Sequence, residues 1–253
     1  MPVRQREEKY IEIDVNTNNS SYQPLDSNIP YLSDQQFESL LHYMGGLSAK
    51  TPVPTSLGNP GALGLAAFAL TLFILSVFNA GSNLIDPQIS AVFLPVALFY
   101  GGIAQFAAGM WEFQVNNTFG ATVFSSYGAF WLSFGGYIYY IVPTIESTGK
   151  SNKATGFFLL AWFFYTICIN VAAYKTSRLV FYIFIILNMT FLFLVVGSLA
   201  NSSVVLNIGG WFGIATSFAA WYGSAALVIN ITWKKAILPV GVYQTPKEKS
   251  IED

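Results

Sequence analysis

A single cysteine, Cys168, and a single histidine, His42, leave this chain without the means for a disulfide framework, a CxxC centre or a histidine-built metal site. Charge is scarce too. Lys, Arg, Asp and Glu make up 10% of the 253 residues. Soluble domains carry about a quarter, so this chain lacks the polar surface to coat a globule in water. A formal net charge of −1 gives nucleic acid no electrostatic footing. GxSxG, HExxH and Walker motifs are missing, and no pair of carboxylates lies within an apolar segment. Hydrolysis, ATP use and redox chemistry therefore have no residues to perform them. No enzyme is expected, and neither metal nor cofactor is implied.

What is abundant is apolar surface. Hydrophobic residues account for 53% of the chain and aromatics for 17%. Between Gly61 and Trp233 the only charges are Asp86, Glu112, Glu146, Lys150, Lys153, Lys175 and Arg178, each at or near a break between apolar runs. Spanning the hydrocarbon takes about 20 apolar residues in a helix. Six runs qualify, at residues 62–81, 90–111, 120–142, 155–174, 179–199 and 207–232, the last two divided at Asn201-Ser202-Ser203. They are continuously apolar rather than alternating with period two, which selects helices over barrel strands. The expected fold is an all-α polytopic membrane protein with six transmembrane helices in the lipid bilayer, occupying residues 59–235.

Two tails flank it. Residues 1–58 are polar at first, and a short amphipathic helix at 34–44 is predicted from Ser33 and Gln36 as a capping box. Residues 236–253 form the other tail. Lys and Arg concentrate in the tails and the even-numbered loops, while the odd-numbered loops hold only Lys150 and Lys153. The positive-inside rule then places both termini in the cytoplasm, with the plasma membrane as the expected location.

Several polar residues stand out against this background. Asn59-Pro60-Gly61 opens the first span as an N-cap with proline at the first helical position. That is either a well-capped helix or a helix N-terminus presenting N–H groups to an anion. In the second span Gly101, Gln105, Gly109 and Glu112 recur at roughly helical spacing, so close helix contact is expected at the glycines, and Gln105 and Glu112 should face protein or water. Glu112 is either a proton-coupling group or a helix-end charge paired with Lys175 or Arg178. Asn117-Thr118-Phe119-Gly120 reads as a turn and cap. Asn188, in the fifth span, needs a partner or water for its amide.

These residues carry a resemblance. Asn59-Pro60-Gly61-Ala62-Leu63-Gly64-Leu65 resembles the Asn-Pro-Ala-Pro-Leu-Gly-Leu motif of the acetate uptake transporters, the GPR1/FUN34/YaaH family, departing from it at Gly61 and Ala62. Phe99-Tyr100-Gly101-Gly102 with Gln105, Asn117-Thr118-Phe119-Gly120, Ser126-Tyr127-Gly128 with Phe130-Trp131, and Gly210-Trp211 follow in the family's order and spacing. The resemblance implies a homo-hexamer of six-helix protomers, each with an hourglass pathway for a small carboxylate narrowed at its middle by Phe68, Tyr127 and Leu187. The candidate pathway further comprises Asn59, Pro60, Gly61, Leu65, Thr71, Gln105 and Asn188, with Glu112 for proton coupling. A hydrophobic constriction can exclude hydrated inorganic ions while a methyl-bearing acid passes. Two other readings stand beside acetate or monocarboxylate transport: ammonia or ammonium export, and a membrane sensor or scaffold acting through the N-terminal tail.

Overall fold

Each apolar run becomes a helix. The structure, a computed structural model, describes residues 57–81 and 87–241 together with the helical Ser39. The amphipathic helix expected at 34–44 and most of the two tails lie outside the described residues. Six long helices follow one another: α1 (Gly61–Asn79), α2 (Ser90–Gln114), α3 (Thr118–Gly136), α4 (Ser151–Ala173), α5 (Arg178–Leu199) and α6 (Ser203–Thr232). Their limits fall within a few residues of the runs read from sequence, the usual scatter of helix ends.

Five of the six are long and apolar enough to cross a membrane among the described residues; α3 is the exception. Glycine, serine and threonine dilute its hydropathy, and its burial explains why that is tolerated. Tyr127, Phe130, Trp131 and Phe134 on α3 are all nearly inaccessible. A helix that meets protein rather than lipid does not need a hydrocarbon-like surface. The opposite case is α4, where only 22% of the apolar window is buried and Phe157, Phe164 and Val171 lie exposed.

Helix α2 is irregular. It enters through 3-10 turns at Pro87–Val92, makes one α-turn at Phe93–Pro95, and runs as a π-helix over Val96–Ala104 before the regular Gln105–Gln114. Pro95 has no N–H to give the ladder, which favours a break near it. Helix α3 likewise passes through a π-segment, Tyr137–Ile141, into a short helix at Val142–Glu146, so the third run is helical beyond its expected end.

The helices pack in the order α3–α2–α1–α6–α5–α4, each against the next. Glycines set several of these approaches. A Cβ on Gly210 would overlap the backbone of Ala80, and one on Gly109 would overlap Ser125. Backbone contact between α3 and α4 is sparse by comparison. That seam is closed by rings: Phe130 meets Trp162 at 5.1 Å, Phe134 meets Phe158 at 5.6 Å, and Tyr137 stacks on Phe158 at 5.5 Å. Beyond α6, the chain turns back. Asn230 Oδ1 accepts from the N–H groups of Ile237 and Leu238, and Arg178 N–H donates to Gly241 at 3.0 Å. Residues 236–241, read from sequence as tail, are thus tied to the ends of α5 and α6.

Candidate functional site

Phe68, Tyr127 and Leu187 come together. They sit near the midpoints of α1, α3 and α5, the three odd-numbered helices, which run in the same direction. Their exposures are 6%, 1% and 2%. The Phe68 and Tyr127 rings meet edge to face at 5.7 Å. All three line one apolar cavity of about 20 Å³, room for about one water-sized sphere.

The cavity lies to one side of the trio. Its other walls come from residues later on the same helices: Leu72 and Leu75 on α1, Phe130 and Trp131 on α3, Thr190, Phe191 and Leu194 on α5. Leu159, early on the antiparallel α4, completes it. The cavity therefore opens from the trio toward the Asn79 and Leu199 ends, and the side chains close the centre of the bundle.

Tyr127 is committed within this arrangement. Its hydroxyl lies 2.7 Å from Thr166 Oγ1, and the Thr166 hydroxyl itself donates to Trp162 O at 2.7 Å. The threonine proton is thus used along its own helix, so Tyr127 is the donor. A carboxylate would have to draw this O–H away from Thr166. Thr166 is fully buried. It carries no sequence signal beyond being a hydroxyl within an apolar run.

A second cluster forms where α1, α2 and α3 end together. Glu112 is 2% exposed, and Asn117 Nδ2 donates to its Oε2 at 2.7 Å. Asn117 also caps α3, its Oδ1 accepting from Gly120 N–H at 3.1 Å. Glu112 thus takes its hydrogen bond from the adjoining cap rather than from Lys175 or Arg178. Asn59 Oδ1 accepts from Gly61 N–H at 2.9 Å, although Pro60 rather than Asn59 stands at the helix cap, one residue later than the sequence indicates. A Cβ on Gly61 would lie 3.0 Å from both Asn59 Oδ1 and Glu112 Oε1. A Cβ on Gly120 would lie 2.9 Å from Glu112 Cδ. The two glycines let the start of α1 and of α3 close around one carboxylate, each with the partial positive charge of a helix N-terminus. An alanine at Gly61, as in the family motif, would press on both the Asn59 amide oxygen and the Glu112 carboxylate.

The remaining candidates are dispersed. Thr71 donates to Ala67 O at 2.9 Å and packs against Gly101 of α2. Leu65 faces Gly223 of α6. Neither lines the cavity. Gln105, 1% exposed, has no hydrogen-bond partner for either amide atom. The close approaches of Gly101 to Thr71 and of Gly109 to Ser125, one turn on either side, hold it where α1, α2 and α3 meet. Asn188 Nδ2 donates to Phe184 O at 2.8 Å, leaving Oδ1 buried and unpartnered. Gln105, Glu112 and Asn188 are all buried within the helices.

Comparison with known proteins agrees with this architecture. The family described as GPR1/FUN34/yaaH matches residues 44–242. Acetate permease A of Emericella nidulans is 37% identical over 199 residues, 73% of this chain and 66% of the relative. Ammonia transport outward protein 2 of Saccharomyces cerevisiae is 37% identical over 203 residues, 78% of this chain and 70% of its own length. The succinate-acetate/proton symporter SatP of Escherichia coli K12 is 32% identical over 188 residues, covering 74% of this chain and 97% of that one. Among solved structures, the bacterial acetate channel SatP superposes with a TM-score of 0.64 at 30% identity, covering 74% of this chain and all of that one.

Proposed function

Because the chain belongs to the GPR1/FUN34/yaaH family, a family of membrane transporters and channels rather than enzymes, we propose that it moves acetate or another small monocarboxylate across a membrane through a hydrophobically gated pathway. The observation that carries this reading is the meeting of Phe68, Tyr127 and Leu187 at the midpoints of three parallel helices, around a cavity of about 20 Å³. A constriction of this kind holds no fixed charge. It refuses hydrated inorganic ions, which would lose their water without replacement, while a small acid presents a methyl group to the rings and needs only one or two hydrogen bonds. Names borne by relatives, acetate permease and succinate-acetate/proton symporter, support the same substrate class.

In this reading the pathway has two polar approaches. At the cytoplasmic end lie Asn59, Pro60, Gly61 and the carboxylate of Glu112; deeper in lie the amides of Gln105 and Asn188, whose unpartnered atoms can replace lost hydration without a tight ionic bond. Glu112 is the candidate for proton coupling, since a carboxyl held between two helix N-termini can release or take a proton as a substrate anion approaches. The protein acts as a hexamer in the plasma membrane with both termini in the cytoplasm.

The test is uptake of labelled acetate into proteoliposomes, with and without an imposed proton gradient. Uptake above empty vesicles is expected; its absence removes the reading. A second reading, ammonium or ammonia export, is favoured by the name of the relative ammonia transport outward protein 2. Alkalinisation of ammonium-loaded vesicles without any acetate flux would select it.

A further inference from the structure

The cavity beside the constriction exposes no polar atom on its walls. A space of that kind stays dry, because a buried water needs about two to four polar partners. Yet one of the rings lining it belongs to a tyrosine. Tyr127 carries the only polar side-chain group of the trio, an O–H that a water can accept from. That group is withheld. Tyr127 is buried, and the rings of Phe68, Phe130, Trp162, Tyr165 and Phe184 lie 5.7 to 6.4 Å from its own, centroid to centroid. Among the described residues its hydroxyl has one hydrogen-bond partner, Thr166 Oγ1 at 2.7 Å. Thr166 sits on α4, across the seam where backbone contact with α3 is sparse. Its own proton goes to Trp162 O, one turn back, so its oxygen is left to accept. Thr166 is itself fully buried and does not line the cavity.

We propose that Thr166 is the positioning residue that keeps the constriction dry, and through Tyr127 makes it refuse hydrated inorganic ions. This rests on the hydrophobically gated pathway proposed above and names the residue that sustains its selectivity. Phe68 and Leu187 close the centre with carbon alone. A tyrosine at the same level brings a donor, and a buried donor without a partner draws in water. By accepting from Tyr127, Thr166 takes that donor out of the pathway and leaves only the ring there. Once the Thr166 oxygen is removed, the phenol is buried and unpaired. Its relief is a water in the adjacent space, which is of about that size. A hydrated centre no longer blocks by dewetting, so ions pass that the dry centre excludes.

The experiment uses the full-length protein reconstituted in vesicles, with chloride efflux and proton leak measured in the absence of acetate. Thr166→Val keeps the shape of the side chain and loses its oxygen. Its leak should rise roughly tenfold over wild type, the shift that one lost hydrogen bond imposes on the balance between dry and hydrated centres. Thr166→Ala loses the same oxygen without added bulk and should leak likewise. Thr166→Ser keeps the acceptor and should stay at the wild-type level. Tyr127→Phe combined with Thr166→Val removes donor and acceptor together and should return the leak to that level. A bond that merely tied α3 to α4 would leave the double variant as leaky as Thr166→Val. Wild-type leak in both Thr166→Val and Thr166→Ala, equal leak in Thr166→Ser and Thr166→Val, or a double variant that still leaks overturns the proposal. Wild-type vesicles that take up no acetate overturn the carboxylate reading by a separate measurement, so the two failures are distinct.

Discussion

At the residue scale, function in this chain rests on side chains that combine bulk with one polar atom. Phe68 and Leu187 contribute only bulk, and both are buried against the central cavity. Shortening either to alanine removes the atoms that close the bundle. Phe68→Ala and Leu187→Ala should let larger monocarboxylates through, with flux relative to acetate rising several-fold in a vesicle assay using acids of increasing chain length. Unaltered selectivity in both variants would move the constriction elsewhere. Glu112 makes a different prediction. Its Oε2 accepts from Asn117, which also caps α3. Glu112→Gln keeps an acceptor oxygen there and should fold, yet it removes the titrating group, so uptake should lose its dependence on a proton gradient. Glu112→Ala also removes the buried acceptor that ties the Asn117 cap of α3 to α2 and should lower stability, read as a fall in melting temperature in detergent.

At the element scale, helix spacing is decided by glycine. Gly109 on α2 faces Ser125 of α3 so closely that a Cβ would meet backbone as well as side chain. A flexible neighbour yields; a helix backbone does not. Gly109→Leu should therefore push α2 from α3 and cost about 1–3 kcal/mol or more, measured as lost folded yield and a lower melting temperature. Gly136, with open space around it, should accept alanine with little change. Helix α3 belongs at this scale too. Its low hydropathy looks like a weakness for a membrane span, yet its glycines and hydroxyls accompany a face whose aromatic rings, Tyr127, Phe130, Trp131 and Phe134, are buried against protein. The aromatic seam with α4 then takes over from the backbone contacts those two helices lack, each ring pair contributing about 0.5–1.5 kcal/mol beyond the area it buries.

At the scale of the whole molecule, the described helices turn large apolar side chains outward as well as inward. Exposed large hydrophobic residues run along α2, α4 and α6, among them Phe99, Phe164 and Phe218. In water this would be an aggregation liability; in a bilayer it is the solvent-facing surface. Orientation is testable on the same molecule, because the single cysteine, Cys168, lies exposed on α4 and can be replaced. In a Cys168→Ser background, a cysteine at Ser250 should resist an impermeant thiol reagent in intact cells, while one at Ser151 should react. The reverse pattern would invert the topology expected from the Lys and Arg distribution.

Six helices, their limits and their membrane setting follow from the sequence alone, because apolar length and charge spacing act locally: a run of about 20 apolar residues has no other stable state in hydrocarbon. The turn at Asn201-Ser202-Ser203 and the Asn117 cap are local in the same sense, and both stand where the motifs put them. The π-segments in α2 and after α3 are not legible this way, since hydrophobic period does not distinguish a π-turn from an α-turn over so few residues. Nor are the pairings. That Glu112 sits between the starts of α1 and α3, that the Tyr127 hydroxyl donates to Thr166, and that the indole N–H of Trp131 is buried without a partner are decided by how helices far apart in sequence are brought side by side. Sequence pattern marks which residues are unusual for lipid. Only packing decides what each of them meets, because hydrogen bonds and cavities belong to pairs of elements and not to any one of them.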